Sequence, residues 1–111
     1  LEGDRTGNFV CVVPGGKEVD LKKAAKASSN KKCDLIAMKE LLPLTGYVRG
    51  GCSPVGMKKL FPTYYHSSVQ QFDHIYVSAG QRGLQFRIAP EALIAITRGI
   101  IADLIKSNNE E

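Results

Sequence analysis

The sequence contains no tryptophan and has no apolar run long enough to cross a membrane as a helix. Its first eight residues are polar and glycine-rich, so they do not predict a secretory leader. We therefore expect a protein that lies outside membranes. With 43% hydrophobic and 23% charged residues among 111, the composition predicts one small folded domain and excludes a disordered chain.

Cysteine and histidine are scarce. The three cysteines, Cys11, Cys33 and Cys52, form no CxxC pair, which argues against a disulfide scaffold or a cysteine zinc site. Cysteines in this number and spacing are typical of a protein in the reducing cytoplasm, which is where we expect this one to lie. His66 and His74 lack a third ligand nearby in the sequence, so we predict no metal site. We expect no cofactor either.

Acidic residues are absent from residues 41–72, although the whole chain carries a formal net charge of only +4. Six lysines are concentrated near the start of the sequence: Lys17, Lys22, Lys23, Lys26, Lys31 and Lys32. Such a distribution permits an anionic partner such as a nucleic acid. It is equally typical of lysines that only face solvent, and the sequence leaves both alternatives open.

Local patterns predict a mixture of short strands and helices. We expect strands at residues 9–13, 34–37 and 62–66, and helices after Asp20, at 38–44 and at 54–60. Asp20 is the residue type that begins helices, and Pro54 suits a first helical turn. Because helices and strands alternate irregularly, an α+β domain is favoured over a doubly wound parallel sheet.

The last third of the sequence has the clearest pattern. Residues 75–88 predict a β-hairpin whose second strand directs Leu84, Phe86 and Ile88 into the core. From Pro90, an apolar stripe predicts a helix that packs on this hairpin, and Gly99 is a point where it could bend or split. The stripe comprises Leu93, Ile94, Ile96, Ile100, Ile101, Leu104 and Ile105.

Residues 45–56 contain four glycines among twelve residues. Glycine lets a backbone approach a ligand closely, and such a loop can direct N–H groups at a carbonyl, carboxylate or phosphate. The segment lacks the Gly-Lys-Ser/Thr ending of a phosphate-binding loop and the spacing of a dinucleotide site. A purely structural turn is the alternative interpretation.

This glycine loop, followed by Lys58-Lys59 and Pro62, resembles the GxxxP segment of the YbaK/EbsC family. The run Ile75-Tyr76-Val77-Ser78-Ala79-Gly80-Gln81-Arg82-Gly83-Leu84 is similar to a second segment of that family. The family consists of bacterial aminoacyl-tRNA deacylases related to the editing domain of prolyl-tRNA synthetase. The segments Gly3-Asp4-Arg5-Thr6-Gly7 and Val19-Asp20-Leu21-Lys22-Lys23 resemble the branch that acts on Cys-tRNA(Pro).

The resemblance implies a fold and a domain organisation. We expect a single α+β domain with a mixed, strongly curved, barrel-like sheet and flanking helices, as in YbaK and the domains associated with prolyl-tRNA synthetase. Residues 1–111 would form this deacylase domain without the family's N-terminal helix and strand. A lysine central to the family's activity lies in that earlier segment, so no lysine here takes its role.

The resemblance also implies a mechanism that needs no catalytic triad. In the Cys-tRNA(Pro) branch the substrate's own thiol attacks the aminoacyl ester and cyclises, while the protein positions the ester and stabilises the oxyanion. Gly50 and Pro54 match the ends of the GxxxP segment. Gly50, Gly51 and Ser53 are therefore the predicted catalytic residues, acting through their backbone.

Binding residues follow from the same resemblance. The substrate is expected to contact Cys52, Pro54, Ser78, Gly80 and Gln85, and tRNA is expected to contact Lys58, Lys59 and Arg82. Gln85 stands where many members carry an acidic residue, a difference that bears on amino-acid preference. Cys52 is predicted to form part of the pocket wall, with a reactive thiol as the alternative.

The predicted function is therefore hydrolysis of mischarged Cys-tRNA(Pro) by a cytoplasmic deacylase, with tRNA and a prolyl-tRNA synthetase as partners. One alternative is a deacylase for Ala-tRNA(Pro) or a similar mischarged tRNA, in which pocket size decides specificity. The other is a non-catalytic module that binds tRNA or a synthetase.

Overall fold

The computed structural model describes residues 1–14, 17–47, 52–57, 61–81 and 83–106. The strands in these ranges are β1 (Glu2–Gly3), β2 (Gly7–Asn8), β3 (Val10–Val12), β4 (Cys33–Asp34), β5 (Thr63–His66), β6 (Ile75–Ser78), β7 (Gln85–Ile88) and β8 (Ile100–Ala102). The α-helices are α1 (Leu21–Ala27), α2 (Met38–Thr45) and α3 (Pro90–Thr97), and a 3-10 helix spans Ser67–Gln71. No helix in the described ranges is long and apolar enough to span a membrane.

The centre of the domain is a parallel sheet in which β5 lies between β3 and β8. Val10 pairs with Thr63 on one side, and Tyr64 pairs with Ile100 on the other. All four residues of β5 are buried. Because both of its edges are paired and both of its faces are covered, β5 is the strand around which the core is organised.

Tyr64 and Tyr65 direct the two faces of β5 into separate core clusters, as expected for successive residues of a strand. Tyr64 packs with Phe9, Ala24 and Leu104, and the rings of Phe9 and Tyr64 meet edge to face at 5.7 Å. Tyr65 packs with Val69, Val77 and Leu93. Helix α1 thus covers one face of the sheet through Ala24, and α3 covers the other through Leu93.

Helix α1 begins at the predicted residue. The Asp20 carboxylate accepts hydrogen bonds from the backbone N–H groups of Lys22 at 2.9 Å and Lys23 at 3.2 Å. These bonds satisfy donors that the first helical turn leaves unpaired. Ala24 and Ala25 face the core, and the helix ends at Ser28. The predictions of this helix and of helix α2 are confirmed.

The helix predicted from Pro90 is confirmed, but its continuation through residues 100–105 is wrong. Helix α3 ends at Thr97, Arg98 takes a left-handed conformation with φ of 54°, and residues 100–102 form strand β8. A Cβ on Gly99 would lie 2.1 Å from Cε2 of Tyr65, so the chain passes directly over that ring. Pairing of Ile100–Ala102 with β5 replaces the helical turn that the isoleucine spacing indicated.

The predicted hairpin is confirmed, but one of its core residues is not. Strands β6 and β7 pair from Ile75 with Ile88 to Ser78 with Gln85, and Phe86 and Ile88 pack against the Tyr65 cluster. Leu84 is 51% exposed. It precedes the strand and helps to close the turn, where its N–H donates to the carbonyl of Gln81.

The mixed α and β architecture is confirmed, whereas the barrel-like sheet is not found. The strands of the described ranges form three separate sheets, β2-β1-β4, β3-β5-β8 and β6-β7, and they enclose no barrel. The parallel pairing of β3, β5 and β8 was not predicted. Residues 54–57 are not helical, contrary to the helix expected from Pro54, and Lys58 to Leu60 lie outside the described residues.

Candidate functional site

A cavity of about 700 Å³ opens between the start of the chain, strand β3, helix α2 and the described end of the glycine loop. Its lining is predominantly apolar. The lining residues are Leu1, Asn8, Phe9, Val10, Cys11, Val13, Lys17, Val19, Leu35, Ile36, Leu41, Leu44, Thr45, Cys52, Met57 and Phe61. A cavity of this size with few polar groups is typical of a small-molecule site.

Thr45 fixes the part of the wall where α2 meets the glycine loop. Its buried hydroxyl donates to the Leu41 carbonyl at 2.7 Å and accepts from the Tyr47 N–H at 3.0 Å. One hydroxyl therefore holds the end of helix α2 and the start of the glycine loop together.

Two cysteine thiols line the cavity, and both are held in the neutral form. Burial raises the pKa of the Cys11 thiol to about 11. Burial also raises the pKa of the Cys52 thiol, and the hydrogen bond with Thr45 opposes that shift. Since the thiolate is the nucleophilic form, neither cysteine is activated at neutral pH. This favours the interpretation of Cys52 as part of the pocket wall.

Ser53 and Pro54 form the exit of the loop. The Ser53 side chain is buried, and its hydroxyl accepts a hydrogen bond from the Val55 N–H at 3.3 Å. Pro54 is half-buried. The observed side-chain contact of Ser53 is thus within the loop, which it stabilises. Gly50 and Gly51 lie outside the described residues, as do Lys58, Lys59 and Arg82.

The hairpin brings Ser78, Gly80 and Gln85 together at one end. Ser78 pairs with Gln85 across the two strands, and its hydroxyl accepts from the Gly80 N–H at 3.3 Å. Gln85 is exposed, and Ser78 and Gly80 are half-buried. None of these three residues lines the cavity that Cys52 lines. The structure therefore does not bring these predicted substrate-binding residues to the same surface as Cys52.

Tyr47 connects the glycine loop to the hairpin and was not among the predicted site residues. Its hydroxyl donates to the Val55 carbonyl, and its ring lies against Gly80, where an added Cβ would be 2.8 Å from Cε1. A Cβ added to Gly56 would lie 3.0 Å from the hydroxyl oxygen of Tyr47. No local sequence pattern indicates this role, because the Gly80 that the ring contacts lies 33 positions later in the chain.

The histidines and acidic residues do not assemble a metal site in the described ranges. No group of at least three His, Cys, Asp or Glu side chains there could hold a metal ion. His66 is buried, and its Nδ1 accepts the N–H of Leu104 at 3.1 Å, which joins β5 to the C-terminal segment. His74 is exposed.

Comparison with known proteins shows the family of this chain. Residues 1–96 match the family model for the aminoacyl-tRNA editing domain, so the chain belongs to that family. It is 54% identical over 102 residues to an Enterococcus faecalis protein named "Putative Cys-tRNA(Pro)/Cys-tRNA(Cys) deacylase EbsC". The match covers 92% of this chain and 62% of that protein, so the chain spans less than two thirds of its relative. The resemblance to the YbaK/EbsC family is confirmed.

Solved structures show the same fold. A crystal structure described as "a putative trans-editing enzyme for prolyl tRNA synthetase" superimposes with a TM-score of 0.87 at 27% identity, over 95% of this chain and 66% of that one. A structure from work on epitope grafting onto scaffold proteins gives a TM-score of 0.85 at 27% identity, over 95% and 69%.

Proposed function

We propose that the protein is an aminoacyl-tRNA deacylase that removes cysteine from mischarged tRNA(Pro), with residues 1–111 as its deacylase domain. The observation that carries this proposal is the apolar cavity, which is lined in part by Cys52. In the sequence, Cys52 stands between the predicted oxyanion donors Gly51 and Ser53. A cavity of about 700 Å³ has room for an aminoacyl group together with part of the terminal nucleotide. The name of the 54% identical relative supports this choice of substrate.

The proposed reaction uses the substrate's thiol as the nucleophile. The sulfur attacks the ester carbonyl carbon, the bond to the ribose oxygen breaks, and the thiol proton passes to that oxygen. The products are a cyclic thioester and free tRNA. The raised pKa values of Cys11 and Cys52 support this route, because neither protein thiol is an activated nucleophile.

In this mechanism the protein supplies position and electrostatics. Backbone N–H groups of Gly50, Gly51 and Ser53 are proposed to stabilise the developing oxyanion. The fold supports such a role because Thr45 and Tyr47 hold the loop at both of its described sides.

The substrate's other contacts follow the same proposal. Pro54 and the hairpin residues Ser78, Gly80 and Gln85 do not line the cavity, so they would contact the part of the substrate that extends out of it. Lys58, Lys59 and Arg82 would contact its phosphates. A prolyl-tRNA synthetase is the natural partner, since it produces the mischarged tRNA(Pro) that this reaction would consume.

The test is a deacylation assay with Cys-tRNA(Pro), Ala-tRNA(Pro) and Pro-tRNA(Pro) as parallel substrates. We expect Cys-tRNA(Pro) to lose its amino acid fastest and Pro-tRNA(Pro) to remain charged. If Ala-tRNA(Pro) lost its amino acid faster, alanine and not cysteine would be the preferred amino acid. Because alanine has no thiol, that result would also exclude the substrate-thiol mechanism. Binding of tRNA without hydrolysis of any ester would show a non-catalytic module instead.

A further inference from the structure

Lys17 is the only charged side chain among the described residues that line the cavity. It is exposed, whereas the neighbouring lining positions Val13 and Val19 are apolar and half-buried. An ammonium group at the rim of an apolar cavity gives the site two chemically different parts. Such a site fits a ligand that carries an anionic group close to an apolar or aromatic one.

The backbone that carries Lys17 is held on both sides. Its own N–H donates to the Pro14 carbonyl at 3.0 Å. The next residues pair with the C-terminal segment: the Lys106 N–H donates to the Glu18 carbonyl at 3.1 Å, and the Asp20 N–H donates to the Leu104 carbonyl at 2.7 Å. The base of the Lys17 side chain is therefore fixed relative to the cavity.

The neighbouring carboxylates are engaged elsewhere. Glu18 forms an ion pair with Lys106 at 3.0 Å, and Asp20 accepts two backbone N–H groups at the start of α1. None of the ion pairs within the described ranges includes Lys17, in contrast to Lys23, which pairs with Asp103 at 3.1 Å. The Lys17 ammonium is thus available to an anion brought by a ligand.

We propose that Lys17 binds a phosphodiester of the substrate RNA next to the aminoacylated 3′-terminal nucleotide. This inference rests on the proposed function and adds a binding residue to it. The aminoacyl group and terminal nucleotide would occupy the apolar cavity, and the adjoining phosphate would meet the ammonium at the rim. Lysine binds phosphate as a point charge, and phosphate contacts fix the position of a nucleic acid on a protein.

The first experiment compares Lys17→Ala with wild type on Cys-tRNA(Pro) and on a cysteinyl ester of adenosine that carries no phosphate. On tRNA we expect KM to rise about ten-fold with kcat within about two-fold, as for one lost charge-assisted contact. On the phosphate-free ester both constants should be unchanged. Lys17→Arg should retain most of the affinity. Lys22→Ala is the matched control, because Lys22 is exposed but does not line the cavity.

The second readout is the salt dependence of binding to an RNA minihelix that ends in the tRNA acceptor sequence. Losing one phosphate contact should lower the slope of log affinity against log salt by about 0.7 to 0.9 in Lys17→Ala but not in Lys22→Ala. An unchanged slope, or an equal loss on the phosphate-free ester, would overturn the proposal.

The two proposals fail separately. If wild type hydrolyses Cys-tRNA(Pro) and Lys17→Ala equals wild type in both readouts, the role of Lys17 is wrong and the deacylase function stands. If wild type hydrolyses no ester, the deacylase function is wrong. The minihelix titration then decides alone whether Lys17 binds RNA phosphate.

Discussion

The ring of Tyr47 fills the space that a side chain at Gly80 would need. An added Cβ at Gly80 would lie 2.8 Å from Cε1 of Tyr47, and the Gly80 φ of 94° already disfavours an L side chain. Since the Tyr47 hydroxyl also bonds the Val55 carbonyl, this one side chain sets the distance between the glycine loop and the hairpin turn. Substitutions at Gly80 therefore test whether that distance matters.

Gly80→Ala should lower the free energy of unfolding by about 2–4 kcal/mol, from left-handed strain together with overpacking against Tyr47. Gly83→Ala is the matched control, because its φ is 77° but no atom lies within 4 Å of the added Cβ. The free energy of unfolding of the control should fall by only about 1–2 kcal/mol, the cost of the left-handed backbone strain alone. Urea unfolding measures both. Equal losses in the two variants would show that the Tyr47 contact has no energetic role.

Asn30 holds the β1–β2 turn against the end of α1. Its buried side-chain oxygen accepts from the backbone N–H groups of Arg5 and Thr6, both at 2.9 Å, and its nitrogen donates to the Ser28 hydroxyl at 2.7 Å. Asn30→Ala should cost about 2–4 kcal/mol, because several polar groups lose their partner together. Lys31→Ala, at an exposed neighbour, should stay within about 0.5 kcal/mol in the same unfolding experiment. A similar loss of unfolding free energy in both variants would contradict a stabilising role for the hydrogen bonds of Asn30.

Elements specified by local sequence could be predicted, and those specified by distant contacts could not. The Asp20 cap and the alternation at Phe86 and Ile88 depend on neighbouring residues, and both were correct. The isoleucines at 100 and 101 fit helical spacing equally well. Their strand conformation follows from pairing with β5, about 35 residues earlier in the chain, which no local pattern records.

The candidate site likewise combines features that local sequence predicts with features that depend on distant contacts. The prediction that the glycine loop binds substrate came from its resemblance to a family, because its composition alone also fits a purely structural turn. The cavity, however, is lined from Leu1 to Phe61, and the Tyr47 contact with Gly80 spans 33 positions. Such a surface exists only after the chain has folded, so its lining residues could not be found by reading along the sequence.

Asp103 should make stability depend on pH at the acidic end. The hydrogen bond from Lys23 lowers the pKa of the Asp103 carboxyl, and the positive charge of Lys23 acts in the same direction. A folded-state pKa below the unfolded value of about 3.9 adds stability above that value, and this stability is lost as pH falls through the folded pKa.

Asp103→Asn should therefore cost under about 1 kcal/mol at pH 7, because the carboxylate is largely exposed. The difference from wild type should shrink as the pH approaches about 2 to 3, below the unfolded-state pKa of Asp. Thermal unfolding from pH 2 to pH 7 measures it. Asp73→Asn, at an exposed carboxylate outside the ion pairs of the described ranges, is the control. A cost for Asp103→Asn that is constant with pH would contradict the assignment.

Gly50→Ala should reduce the rate of Cys-tRNA(Pro) deacylation by about two to three orders of magnitude, as loss of an oxyanion donor does in other enzymes. An added Cβ would block the approach of the ester to the backbone or force the loop into another conformation. Stability should change by only about 1 kcal/mol. Gly7→Ala, at φ 80° with open space around it, should keep its activity. Loss of activity only in proportion to loss of folded protein would contradict a role in catalysis.

Cys52→Ala should retain most of the deacylase activity, because the proposed nucleophile is the thiol of the substrate. Burial raises the pKa of the Cys52 thiol, so that little thiolate is present at neutral pH. Replacing the substrate's cysteine by serine should slow hydrolysis sharply, since a hydroxyl is a much weaker nucleophile at the same position. Single-turnover assays on Cys-tRNA(Pro) and Ser-tRNA(Pro) with both proteins measure the two effects. If Cys52→Ala were inactive while wild type cleaved both esters alike, the enzyme would be using its own thiol, and the substrate-thiol mechanism would be wrong.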